Sequence, residues 1–453
     1  MSQIDILNET RRVVGPGPDI REAVEGFPTR TVPDGVRAFG FGALAIGILA
    51  LLGGFATDPK TTAGALLAAI VYFMGISQGG VMFAVIQTIT LGRWGRPLKR
   101  ISESFVAFLP IVYLIWVAFM LTGGLQIYVW THEELPPHKS IYLSAGFFVG
   151  RQIVGMGFLT LLSLLFVRNS LRPDMGVAAE MLGASKAPAW WGRITLGWKG
   201  REAEVEEAYQ KNIRLAPVIV VSYFIIFSMF MVDAVMSLAP HWYANMFPAW
   251  LAVSSVWMTL SWVCVLSVLF KKWLGIDHLA TKSNYHDLGK LMFALSIFWT
   301  YNLFAQILPI WYGNMPEETG YLMLRMFATP WAPLAKVVLA MCFLIPFTVL
   351  LSRGIKKTPS SLAGVGLVII TGVALERFML VMPEVWMGDT FTMPLALYIG
   401  VWLGFAGAFV LVVANTLVRV PPVVLTDPFM NPNPFDVHLH VDHGHGHDHA
   451  HGH

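Results

Sequence analysis

Residues 215–243 read LAPVIVVSYFIIFSMFMVDAVMSLAPHWY. Between Leu215 and Leu238 the only charged residue is Asp233. A helix rises about 1.5 Å per residue, so roughly 20 apolar residues cross the hydrocarbon of a bilayer. The stretch therefore reads as a membrane-spanning helix that ends near Pro240, with a carboxylic acid about 8 Å below its end. Ionisable groups in hydrocarbon are costly, face the bundle interior and mark functional sites by default. The fold and the candidate site both turn on what accompanies this acid.

Outward from this span, the chain repeats the pattern. Its 453 residues are 55% hydrophobic and 13% charged, with a mean hydropathy of +0.61; soluble proteins carry about 25% charged residues. Apolar runs fall at roughly 38–57, 62–91, 101–123, 141–167, 213–238, 245–270, 286–311, 333–352, 362–383 and 393–420, each long enough to span. The expected fold class is an all-α polytopic membrane protein of about ten transmembrane helices. Residues 1–37 form a polar leader with Asp5, Glu9, Asp19, Glu22 and Glu25, unlike a cleaved signal peptide, which begins basic. Residues 38–420 form the membrane domain and 421–453 a Pro-rich, then His-rich tail.

Basic loops stay in the cytoplasm. With the N-terminus inside, most of the 31 Lys and Arg residues fall on that side, including GRWGRPLKR and the 168–214 loop. The other side keeps Lys60, Lys139, Arg325 and Lys336, while Arg151 and Arg377 lie within spans. Both termini are expected in the cytoplasm of a cell whose inner membrane holds the protein. The net charge of +3 calls for no nucleic-acid partner. Cys264 and Cys342 stand alone in spans, as buried small hydrophobes rather than a metal or disulfide framework. Most of the 13 histidines crowd the tail, where His443, His445, His447 and His449 alternate and could bind metal weakly. No His pair on facing spans could ligate haem, so haem and iron–sulfur centres are expected only on partner subunits.

Depth brings several polar residues together. Asp233 and Glu376 each lie about 8–9 Å below the outer ends of spans five and nine, with Arg377 adjacent to Glu376. Gln306 lies at a like depth in span seven, Asn302 one turn deeper with Tyr301 beside it, and Arg151 near mid-membrane in span four. Glu376 and Arg377, about 100° apart on one helix, are expected to find their partners on other spans. Aligning Asp233 with Glu376 also matches DAVMSLAPH to ERFMLVMPE. The repeat implies two four-helix bundles, spans 2–5 (about 62–238) and 6–9 (about 245–383), flanked by spans 1 and 10. A weaker inner set, Gln87, Glu103, Ser222, Tyr223 and Ser267, could extend a proton path inward, although such hydroxyls usually bond to their own helix.

The segments FWTYNLFAQILPIWYGNMPEETGY (298–321), VDAVMSLAPHWYANMF (232–247) and HDLGKLMFALS (286–296) carry a resemblance to the NrfD-like membrane subunits of quinone-linked oxidoreductases. The chain is most similar to the second, smaller quinol-binding-type subunit of bacterial alternative complex III, over about residues 30–420. The resemblance implies a cofactor-free subunit in a quinol:cytochrome c oxidoreductase rather than an enzyme by itself. It would sit in lipid beside a homologous larger membrane subunit, under periplasmic iron–sulfur and c-type haem subunits, and draw on the quinone pool. Asp233 and His241 resemble the acid and His proposed there for quinol binding or proton exit, as do Glu376 and Arg377 in the second bundle. Two other readings stay open: a structural anchor for redox partners, and a metal-ion or proton-coupled transporter. The His-rich tail is outside the resemblance.

Overall fold

A computed structural model describes residues 30–183 and 187–427. The leader before residue 30 and the tail after residue 427, with His443, His445, His447 and His449, lie outside the described residues. Among those described, ten helices are long and apolar enough to cross a membrane: α1 Asp34–Thr57, α2 Pro59–Ile89, α3 Arg96–Leu121, α4 Ala145–Leu182, α5 Arg201–Leu238, α6 Phe247–Phe270, α7 Lys282–Gly313, α8 Trp331–Leu350, α9 Pro359–Val385 and α10 Thr392–Arg419. A short helix, Pro316–Met326, lies between α7 and α8. The all-α polytopic expectation holds.

Two four-helix groups are present. In the first, α2 packs on α3 and α5, and α4 joins α3 to α5; in the second, α6 packs on α7 and α9, and α8 joins α7 to α9. The groups meet where α2 lies against α6 and α9. Helix α2 is buried along almost its whole length and forms the axis of the molecule. The flanking helices do not stand on opposite sides: α1 packs along α10, and α10 also rests on α2.

Small residues set both close crossings. With lipid as apolar as the side chains, helices associate through close backbone approach rather than through a hydrophobic drive. Gly47 of α1 faces Gly404 of α10 so closely that a Cβ on Gly47 would lie 2.3 Å from the Gly404 Cα. Between the bundles, a Cβ on Gly79 of α2 would lie 2.2 Å from Thr259 Oγ1 and 3.0 Å from the Ser255 carbonyl of α6. Overpacking such a contact costs about 3 kcal/mol. We expect Gly79→Leu to lower the thermal midpoint in mild detergent sharply. Gly146→Leu, where nothing stands within 4 Å of the new Cβ, is expected to leave it unchanged.

Two departures from the sequence expectation follow from packing, and one local feature from a proline. The 168–214 segment, expected as an inner loop, is largely helical: α4 runs on to Leu182 and α5 begins at Arg201. Arg172 joins the two extensions with a pair of 2.7 Å bonds from Nε and Nη2 to the Glu204 carboxylate. Residues 421–427, expected as part of a linker, fold back, with Val423 and Leu425 fully buried. Helix α8 carries a π-helical turn at Ala340–Leu344, directly before Pro346. Proline removes a backbone donor and its ring crowds the carbonyl four residues back, which opens the helix there.

Candidate functional site

Asp233, on the last helix of the first bundle, has no solvent exposure. Arg151 on α4 grips it with two bonds of 2.8 Å, from Nε to Oδ2 and from Nη2 to Oδ1. Tyr142, in the turn before α4, donates its hydroxyl to Oδ1 at 3.1 Å, and the Gln152 amide donates to Oδ2. A planar guanidinium matches a carboxylate bidentately, which fixes geometry as well as charge. Arg151 also lies 3.8 Å above the Tyr142 ring and donates to the Tyr142 carbonyl. It begins deeper than Asp233 in sequence, but its long stem carries the charge up to the acid's level. Burial, then the Asp233 charge, pushes the Tyr142 hydroxyl up to about 12, so it remains a donor at neutral pH.

The second bundle repeats the acid but not the wiring. Glu376 is fully buried on α9 and receives 2.9 Å from the Trp299 indole of α7. Its other oxygen takes 2.7 Å from Arg377, its own neighbour in sequence. The expectation that these two find their partners only on other spans is thus corrected. The guanidinium sits on a flexible stem that bridges the angle between adjacent positions. Its remaining reach does cross to α6, at 2.6 Å from Ser254 Oγ and 3.3 Å from the Leu251 carbonyl. No hydrogen bond runs between the Asp233 and Glu376 sites; each bundle holds its own.

The expected single polar layer therefore contracts. Asn302 and Gln306 are buried, but they donate to carbonyls one turn back in α7, Phe298 at 2.7 Å and Asn302 at 3.1 Å. Tyr301 is 60% exposed and stacked on Phe298, facing outward from the bundle. His241 is exposed and pairs with Glu133 at 3.4 Å rather than with Asp233. Depth along a helix says nothing of azimuth, and Tyr301 is on the outward side. The position matching His241, Glu384, meets Arg325 at 2.9 Å. Arg325 lies 3.4 Å over the Tyr321 ring, and Tyr321 stacks on Trp242 at 3.7 Å. Burial, against the Arg325 charge, pushes the Tyr321 hydroxyl up to about 12.

Beside the Asp233 shell is a cavity of about 390 Å³ lined by Tyr142, Ser237, Trp242 and Tyr243, with Lys139 at its edge. Lys139 is tethered by 2.9 Å to the Pro240 carbonyl. The cavity has an aromatic wall, a tyrosine oxygen that can accept a hydrogen bond while its proton goes to the acid, and an ammonium group, the furniture of a pocket for a flat polar ring.

At the other end of the bundles, the basic motif GRWGRPLKR is not a solvated loop. Arg96, Lys99 and Arg100 are buried with Glu103, Asp174 and Asp427. Arg100 pairs with Asp174 and, at 2.6 Å, with Glu103; Asp427 pairs with Arg96 and, at 3.2 Å, with Lys99. Asp174 Oδ1 also takes both the amide (2.8 Å) and the hydroxyl (2.6 Å) of Thr426. Glu103 is thus a member of an ion cluster. The rest of the inner set does not join into a chain with it. Tyr223 donates 2.8 Å to the Ala252 carbonyl, Ser267 bonds 2.8 Å to Cys264 in its own helix, and Ser222 is half-buried. Gln87 is buried with its amide unpartnered among the described residues.

Tyr142, Gln152, Trp299, Ser254, Asp174 and Asp427 were absent from the sequence reading. Gln152 directly follows Arg151, the one signal available; the others become neighbours only through the fold.

Fold and site together define the class: a multi-pass all-α membrane protein with two buried acid–arginine sites, one per bundle, on the face opposite the basic ion cluster. No protein-family model and no curated protein matches the chain.

Proposed function

We propose that this chain is a membrane subunit of a quinol-linked electron-transfer complex, and that the Asp233 site receives a quinol headgroup and handles its protons. The observation that carries the reading is a fully buried carboxylate, held by Arg151, Gln152 and Tyr142, beside a cavity of about 390 Å³ with an aromatic wall. The resemblance of 232–247 and 298–321 to NrfD-like subunits supports it. The Lys and Arg distribution supports both termini being cytoplasmic in a bacterial inner membrane, with the acid sites toward the periplasm. Oxidation of a quinol releases two electrons and two protons. The electrons pass to iron–sulfur and c-type haem centres on partner subunits. In this chain, the Tyr142 oxygen accepts from a quinol hydroxyl and Lys139 donates to a ring oxygen, which orients the ring. The acid and its arginine fix the local charge, so that a proton leaving the ring is drawn toward the outer face.

Saturation of Asp233 by several donors also favours a second reading, a structural anchor whose buried ion pair pins α4 to α5. One experiment separates them. Asp233→Asn, purified with its native partners in mild detergent, is expected to retain iron–sulfur and haem subunits while turnover with quinol falls at least tenfold, as for loss of a proton-handling group. Unchanged turnover per assembled complex would sink the quinol reading. Loss of the partners with normal turnover of the remainder would favour the anchor. Absence of any redox subunit in the wild-type preparation would overturn both.

A further inference from the structure

A second cavity, of about 360 Å³, opens between α3, α4 and α10 near the basic ion cluster. Its walls are Val106, Ala107, Leu164, Val167, Leu171 and Val420. Arg100 and Glu103 border it, but both are 1% exposed and turned toward each other and Asp174. They present hydrocarbon rather than charge, so a polar ring entering this space would find few partners, whereas an acyl chain loses nothing.

The rim is of the opposite character. Arg168 lines the mouth, Arg193 precedes the lining residue Ile194, and Arg419 lies between the lining residues Thr416 and Val420. All three are exposed, and among the described residues no carboxylate pairs with any of them. The other arginines nearby are matched: Arg172 by Glu204, Arg201 by Glu180 and Arg100 by Asp174. Three unmatched arginines thus border this mouth. A short helix, Trp191–Ile194, closes the rim, pinned by a 2.9 Å bond from the Trp191 indole to the Arg419 carbonyl. The exposed Trp190 beside it is of the type that settles at a membrane interface.

We propose that this is a binding site for an anionic phospholipid, with one acyl chain in the cavity and the phosphate held by Arg168, Arg193 and Arg419. Apolar space under an unneutralised cationic rim at the interface is the complement of that ligand, and each basic side chain near the surface adds to the preference for an anionic headgroup. The site is remote from the Asp233 cavity and does not depend on the quinol reading.

The test is native mass spectrometry of the full-length protein after detergent extraction and exchange into mixed phosphatidylglycerol and phosphatidylcholine. Wild type is expected to retain phosphatidylglycerol selectively. The R168Q/R193Q/R419Q variant is expected to lose that selectivity by roughly a hundredfold. Ala107→Trp, which fills the cavity and leaves the arginines in place, is expected to lower retention of either lipid. Equal retention of the two lipids by wild type would overturn the proposal, as would unchanged selectivity in the triple arginine variant. Retention of a quinone in place of phospholipid would overturn it too. The arginines are exposed, so the triple variant is expected to keep the wild-type melting temperature, which separates lost binding from lost fold.

Discussion

Asp174→Ala is expected to cost about 3–5 kcal/mol, the range for removing one partner from a buried ion pair. Asp174 has no exposure and receives Arg100 together with the amide and hydroxyl of Thr426. Its loss leaves a cluster of Arg96, Lys99 and Arg100 against only Glu103 and Asp427, one positive charge in excess in a buried site. It also leaves the Thr426 amide and hydroxyl without their acceptor, and each unsatisfied buried group adds about 1–3 kcal/mol. Because Thr426 belongs to the segment that folds back after α10, the local result is release of residues 421–427. A cysteine at Val424, buried in the wild-type fold, reports this directly. V424C is expected to resist maleimide in the parent and to react in the Asp174→Ala background, while Cys264 and Cys342 stay silent in their buried sites. Combining Asp174→Leu with Arg100→Leu restores the charge balance and is expected to recover a substantial part of the loss. If the single and double variants are equally unstable, the cluster is not held by its charge pairing.

Arg151→Gln is expected to destabilise the protein more than Asp233→Asn does, although both break the same pair. Asp233 is fully buried on α5 and cannot reach water, so removing Arg151 leaves a carboxylate with only the neutral donors Tyr142 and Gln152. That again falls in the range of about 3–5 kcal/mol. Arg151 keeps slight exposure, stacks on Tyr142 and bonds to its carbonyl. With Asp233 gone, its long side chain still has those contacts and can extend to the interface. Melting temperatures of the two single variants and the double variant in one detergent check this order. A larger effect from Asp233→Asn would mean that the arginine, not the acid, is the trapped charge. The comparison also bears on function, since the milder Asp233→Asn variant is the one suited to turnover measurements.

The apolar runs predict every one of the ten spans, because length and hydropathy are local properties and a continuous apolar run of this length satisfies its own backbone in lipid as a helix. The rarity of charge within those runs marks Asp233, Glu376 and Arg377, all buried in the fold, and Arg151, which keeps slight exposure. The matched motifs DAVMSLAPH and ERFMLVMPE suggest the doubled four-helix plan. Less was legible where partners had to be chosen. Tyr301 lies about a turn below the acids and faces outward from the bundle; His241 follows Asp233 by two turns and pairs with Glu133 instead. GRWGRPLKR has the composition of a solvated loop, yet its charges are buried because Asp174 and Asp427 arrive from distant positions to neutralise them.

MVDAVMSLAPHWY by itself determined that a carboxylate lies within a membrane span and needs a partner there. That follows from the price of charge in hydrocarbon, which holds for any surrounding fold. Only the tertiary structure decided that the partners are Arg151, Gln152 and Tyr142, and that Glu376 takes its own neighbour and a tryptophan. Those choices depend on the rotation of each helix about its axis, set by close crossings such as Gly79 on Thr259 and Gly47 on Gly404. Rotation is a property of helix pairs, so it becomes fixed only when the helices pack.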